Sequence, residues 1–351
     1  TDNHRIRKIT PPRAATPAHL LSPSPTPRRV GLWPVVLAGA AVAGVFTFEA
    51  SNRQALIVSL TAMLMSLSIV VITGYVGQIS LAQMAFAGVA GFTAIEVADN
   101  GLPFPLAVLV AVVLATLVGV AVGIPALRVR GMSLAVATMA LAVAIEQLVL
   151  GSEALSGGVG GRSAPRPYLF GIDVGISAPG ADNFRPAFGL TVLAVLVAAC
   201  WVVANLRRNR TGLRWLAVRA NERAAAAAGI DVARAKLGAF AVSSALAGLA
   251  GCFMAFGTST LSTTSFLVIG ALVALAMTYL AGISSISGAI LAGLMTQAGL
   301  LTTLSSGDGA SSDYVYVTSG LLLIVVAIAA PEGLTGLAQR ALGRAVAVVR
   351  P

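Results

Sequence analysis

Residues 104–127 read FPLAVLVAVVLATLVGVAVGIPAL, a stretch without a single charged side chain. About twenty apolar residues suffice for a helix to cross the hydrocarbon of a bilayer. The stretch runs into Arg128 and Arg130 at one end, and Asp99 and Asn100 lie just before the other. Cytoplasmic loops collect Arg and Lys, so the Arg128 end is expected inside and the Asp99 end outside. One run thus predicts a spanning helix and its direction.

Comparable runs lie on both sides of it, at about 33–48, 54–73, 79–97, 131–150, 188–206, 237–257, 265–281, 283–301 and 315–330. The expectation is an all-α, polytopic membrane protein of about ten transmembrane helices. Only Gly282 separates 265–281 from 283–301, so these two also read as a tight hairpin or a re-entrant pair. Composition agrees: 57% of residues are hydrophobic, 10% are charged, and mean hydropathy is +0.89. A soluble domain carries about 25% charged residues, so a cytosolic globule, a disordered chain and a disulfide-stapled domain are excluded. Ten spans in 351 residues leave no room for a large soluble domain.

Alternating sides from an inner N-terminus puts nineteen of the twenty-three basic residues on inner segments. Both termini are therefore expected in the cytoplasm. The division is a Pro/Arg-rich tail or linker at 1–32, a transmembrane domain at 33–340 and a tail at 341–351. Residues 1–32 read either as a native N-terminus or as a linker from a fused partner. Within the domain, 151–187 is a long outer loop rich in Gly, Pro and Asp, and 207–236 is the most basic inner loop.

The net charge of +10 raises nucleic acid as a partner. The Arg residues sit in blocks between apolar runs, which points to membrane lipid and not to nucleic acid. His4 and His19 lie in the tail, while Cys200 and Cys252 lie inside apolar runs. No metal site, disulfide or Ser-His-Asp set is expected from them. Neither Lys8 nor Lys236 follows a Gly, so a P-loop is absent and the chain cannot hydrolyse ATP alone. Neither catalysis within the chain nor a cofactor of its own is expected.

Three segments carry polar chemistry. Arg219-Ala220-Asn221-Glu222-Arg223 leads through Ala224 to Ala228 into Gly229-Ile230. Alanines favour helix and Gly229 is a natural stop, so a short amphipathic helix is expected at the inner surface. It suits a groove on another protein, or simply anionic lipid. Around 74–83, Gly74 and Gly77 permit close approach or unwinding, and Gln78, Ser80 and Gln83 bring amides and a hydroxyl. They read as a translocation path or as interhelical glue. Thr138 and Glu146 lie on the fifth run, and Glu146 is its deepest acid. A stand-alone secondary transporter or channel would use Glu146 as its proton or ion group; a packing role near the outer surface is the other reading.

In combination these segments resemble the permeases of ABC importers for branched-chain amino acids. Gly212, Arg214, Val218, Arg219, Asn221, Glu222, Ala225, Ala226, Gly229, Ile230 and Lys236 match that family's coupling loop. Gly74-Tyr75-Val76-Gly77-Gln78-Ile79-Ser80-Leu81 is similar to its Gly-Tyr-x-Gly-Gln-x-Ser-Leu signature. Pro331-Glu332-Gly333-Leu334-Thr335-Gly336 and the long outer loop resemble the LivM-like subunit. Ala82 stands where relatives carry Gly. The resemblance implies ATPase coupling through Arg219, Asn221, Glu222, Ala226, Gly229 and Ile230. It implies a path past Gly74, Gly77, Gln78, Ser80, Gln83, Thr138 and Glu146. The implied partners are a LivH-like permease subunit, two cytoplasmic ABC ATPases that bind ATP and Mg, and an extracytoplasmic solute-binding protein. The implied location is the cytoplasmic (inner) membrane of a prokaryote.

Overall fold

The computed structural model describes residues 33–129, 132–158, 161–169, 171–176, 185–258, 260–306 and 334. Helix α1 (Trp33–Thr47) is followed by α2 (Ala50–Ile69), which runs on into a π-helical turn, Val70–Tyr75. Then come α3 (Gln83–Asp99), α4 (Phe104–Ala126) and α5 (Met132–Ile145) with a second π-helical turn, Glu146–Leu150. A short α6 (Glu153–Ser156) leads to strands β1 (Arg162–Ser163), β2 (Tyr168–Leu169) and β3 (Ile172–Asp173). Helices α7 (Pro186–Arg208), α8 (Arg210–Ala220), α9 (Glu222–Ala227) and α10 (Val232–Gly257) follow. Strand β4 (Thr260–Leu261) and a 3-10 turn (Thr263–Phe266) precede α11 (Val268–Gly282), α12 (Ile286–Leu294) and α13 (Leu300–Ser306).

The chain is an all-α polytopic membrane protein; its strands are two-residue pairs, β1 with β4 and β2 with β3, both antiparallel. Among the described residues five helices are long and apolar enough to cross a membrane: Ala50–Tyr75, Phe104–Ala126, Ser133–Leu150, Pro186–Arg208 and Val232–Gly257. They are not equivalent. The first is 89% buried and the last 72%, whereas the other three are 22–39% buried. Thus α2 and α10 form the interior. The outer helices turn Leu109, Leu117, Val136 and Trp201 outwards, a surface suited to lipid.

Small residues allow the interior to close. A Cβ on Gly251 of α10 would lie 2.0 Å from the carbonyl oxygen of Ala87 on α3. On the other flank of α10, a Cβ on Gly119 of α4 would lie 2.2 Å from Ser244 Oγ, and one on Gly248 would lie 3.0 Å from Ala115 Cβ. In a bilayer the hydrophobic effect does not drive helices together, so this backbone proximity supplies the packing energy.

Two apolar runs behave differently from a simple reading of their length. The run at 79–97 becomes helical only at Gln83. Gly77 adopts φ +78°, and the backbone between is satisfied by side chains. Thr73 Oγ1 donates to the Gln78 carbonyl (3.1 Å), and the Leu81 amide donates to Thr138 Oγ1 (3.1 Å). The run at 283–301 is divided between α12 and α13, with Ala298 at φ 55°. There the Leu300 amide donates to Ser59 Oγ at 2.8 Å. The run at 315–330, the tail 1–32, the segment 341–351 and most of the 331–336 motif lie outside the described residues.

Candidate functional site: the α8–α9 end and the α2 break

The segment expected as an inner loop forms two helices and not one, because Asn221 turns the chain between α8 and α9. Asn221 Oδ1 accepts from the amides of Arg223 (3.0 Å) and Ala224 (3.1 Å), a side-chain N-cap. At the far end Gly229 sits at φ +80°. Its amide donates to Ala226 O and that of Ile230 to Ala225 O, both at 3.0 Å. This paired pattern is a Schellman motif, which fixes where the helix stops. Asp231 then caps α10 by accepting from the Arg234 amide at 3.0 Å. Ala225 is buried, while Ala224, Ala226, Ala227, Ala228 and Gly229 are exposed. The outcome is a knob capped at both ends, with small residues and Arg223 on its exposed surface.

The knob is tied down by polar contacts. Lys236 on α10, almost wholly buried, meets Glu222 Oε1 at 2.6 Å. Trp215 of α8, also buried, donates its ring N–H to the Ala235 carbonyl at 2.9 Å. Arg219 of α8 is exposed overall, yet its guanidinium donates to the carbonyl of Gly74, at the π-helical end of α2. The stem of the same side chain crosses Gly77, where a Cβ would lie 2.9 Å from Arg219 Cγ. Two of the segments that the sequence singles out therefore dock on each other.

Past that contact the polar groups are neutral and buried. Gln83 Nε2 donates to Ser243 Oγ (3.3 Å). Ser243 Oγ lies 3.0 Å from both the carbonyl and the hydroxyl oxygen of Ser68. The Oε1 atoms of Gln78 and Gln83 are buried with no hydrogen-bond partner among the described residues. Gln78, Ser80, Gln83 and Thr138 are all buried. Thr138 braces the break through Leu81. Such groups can bind a polar solute weakly, but they carry no charge. Among the described residues no three His, Cys, Asp or Glu side chains gather as metal ligands. Ser68 and Ser243 were not singled out from the sequence; the Ser243-Ser244 pair inside an apolar helix is the one available signal.

Glu146 stands apart from this cluster. Its Oε2 accepts from the Val268 amide at 3.1 Å, at the first residue of α11. At that same opposite end Arg162 of β1 pairs with Glu96 and, at 3.1 Å, with Asp99, both on α3. The β1–β4 pairing places Arg162 opposite Leu261. Glu146 is thus part of the packing at the end remote from Arg219.

A family model described as the branched-chain amino acid transport system permease component matches residues 53–327. Over 320 residues the chain is 29% identical to the high-affinity branched-chain amino acid transport system permease protein LivM of Escherichia coli (strain K12), covering 86% of this chain and 74% of that protein. It is 28% identical over 311 residues to the LivM protein of Salmonella typhimurium (strain LT2), covering 84% and 72%. No solved structure matches the chain.

Proposed function

The chain belongs to the branched-chain amino acid transport permease family, and we propose that it is the LivM-like permease subunit of an ABC importer. It moves branched-chain amino acids, or related small amino acids and amides, across the cytoplasmic membrane of a prokaryote. A LivH-like permease completes the pathway. Two cytoplasmic ATPases bind ATP and Mg and supply the work, and an extracytoplasmic binding protein delivers solute. The chain itself performs no covalent chemistry. In this reading the membrane is crossed about ten times, both termini are cytoplasmic, and the α8–α9 end faces the ATPases.

The observation that carries the proposal is the α9 knob. Asn221, Gly229 and the Lys236–Glu222 pair hold its shape, and Ala226 stands on its exposed side. A surface of small residues on a rigid helix is a docking element, since close approach costs no side-chain entropy. Basic residues crowd the same end, as a cytoplasmic position requires. Movement there alternates the packing of α2, α3 and α10 around the neutral polar groups of Gln78, Ser80 and Gln83. Weak neutral contacts suit a path that must release its solute, with selectivity residing in the binding protein.

A stand-alone carrier using Glu146 is disfavoured, because that carboxylate already serves as the cap of α11. The test is reconstitution in liposomes with the partner permease, the ATPases and the binding protein. ATP-dependent uptake of leucine, isoleucine or valine is expected. Uptake by the isolated chain, driven by a proton gradient without ATP, overturns the proposal.

A further inference from the structure

Three separate parts of the chain converge on Gly74. It lies in the π-helical turn that ends α2, and its carbonyl accepts from Arg219 of α8. The position a side chain would occupy is filled by the carbonyl of Ile283, 2.0 Å from where Cβ would stand, in the turn between α11 and α12. Carbonyls in the last turn of a helix have no partner within it, so an outside donor is needed there. A π-helical turn is also a recurrent feature of functional sites.

Neighbouring contacts strengthen the grip. Gly77, at φ +78°, leaves just enough room for the Arg219 stem to lie across the backbone. The Arg207 guanidinium at the end of α7 sits 5.2 Å from the centre of the Tyr75 ring, one residue from Gly74. From this turn α2 runs as the most buried spanning helix described, with α12 along it; a Cβ on Gly293 of α12 would lie 2.3 Å from Met63 Cγ. The Lys236–Glu222 pair fastens α9 to α10, whereas Arg219 fastens α8 to α2. The two fastenings lead to different interior helices.

We propose that Arg219 is a positioning residue that locks the π-helical end of α2 to α8. Displacement of the α8–α9 knob is then delivered to α2, and through the Ile283 turn to α12, instead of being absorbed in the loop. Arg219 acts through its contact with α2, although part of its side chain remains open to solvent. Its planar guanidinium can donate to the carbonyl while its stem covers Gly77; a lysine keeps the charge and loses that geometry. The inference rests on the ATP-driven import proposed above.

The test uses the whole complex in liposomes and reads solute imported per ATP hydrolysed. Arg219→Ala is expected to lower that ratio at least tenfold while ATP hydrolysis continues. Arg219→Lys should fall between it and the wild type, and Arg210→Ala, an exposed residue of α8, should match the wild type. Hydrogen exchange of amides 72–82 should quicken in Arg219→Lys and Arg219→Ala relative to α4, a readout that holds even if the alanine variant assembles poorly. An unchanged ratio in an assembled Arg219→Ala complex, or unchanged exchange at 72–82 in both variants, overturns the proposal. A wild-type complex that imports nothing with ATP sinks the transport reading and this proposal together; normal wild-type import with an unaltered variant ratio sinks this proposal alone.

Discussion

The ammonium nitrogen of Lys236 lies 2.6 Å from a carboxylate oxygen of Glu222, and the two ends of this pair are unequally covered: the lysine side chain is 3% exposed and the glutamate 28%. Removing either partner therefore has a different consequence. Glu222→Gln leaves the ammonium group in the interior without its counter-charge, which costs about 3 kcal/mol. Lys236→Met leaves a carboxylate that can turn to water, at a cost of about 1 kcal/mol. Thermal unfolding of the purified protein in detergent should show the larger fall in Tm for Glu222→Gln. The opposite order contradicts the assignment of the lysine as the buried partner.

The α3–α10 contact makes an equally sharp prediction. Gly251→Ala drives a methyl group into the Ala87 backbone, which cannot step aside as a side chain can. Gly238, on the same helix, has nothing within 4 Å of its Cβ position. Gly238→Ala should be neutral or stabilising by up to about 1 kcal/mol, the usual helix preference of alanine over glycine. Gly251→Ala should sharply reduce the yield of folded protein in size-exclusion chromatography. Equal yields would show that the two helices are not so closely packed.

Glu146 separates the two transport readings. As an acceptor for the Val268 amide it behaves as a cap supplied from another helix. Glu146→Gln keeps an acceptor oxygen and should retain at least half of the ATP-driven uptake, with the same pH dependence. Glu146→Ala should cost about 1 kcal/mol in stability, the usual value of a cap. Abolition of uptake by the glutamine variant would restore a proton-carrying role.

Local signals made much of this chain legible. The uncharged run at 104–127 forms α4, and Gly229 and Asn221 mark the ends of α9 because stops and caps are decided within a few residues. The breaks were harder to see because distant residues hold them open. The Leu81 amide finds Thr138 57 residues away, Gly74 finds Arg219 at 145, and Leu300 finds Ser59 at 241. A run such as 283–301 is uncharged and mostly apolar, so hydropathy alone reports one helix where the backbone makes two. The same holds for the polar cluster. Gln83 is conspicuous in sequence, but its partner Ser243 is one of two adjacent hydroxyls in an apolar helix, and only packing discloses which of them it meets.

The central claim is that the α9 knob lies in the cytoplasm, where an ATPase can grasp it, while the β2–β3 hairpin lies outside. Ala226 and Ile172 are both exposed and mark these two places. A membrane-impermeant maleimide applied to intact cells should label an Ile172→Cys variant and leave Ala226→Cys untouched, and both should react once the membrane is opened. Labelling of Ala226→Cys in intact cells would contradict the account.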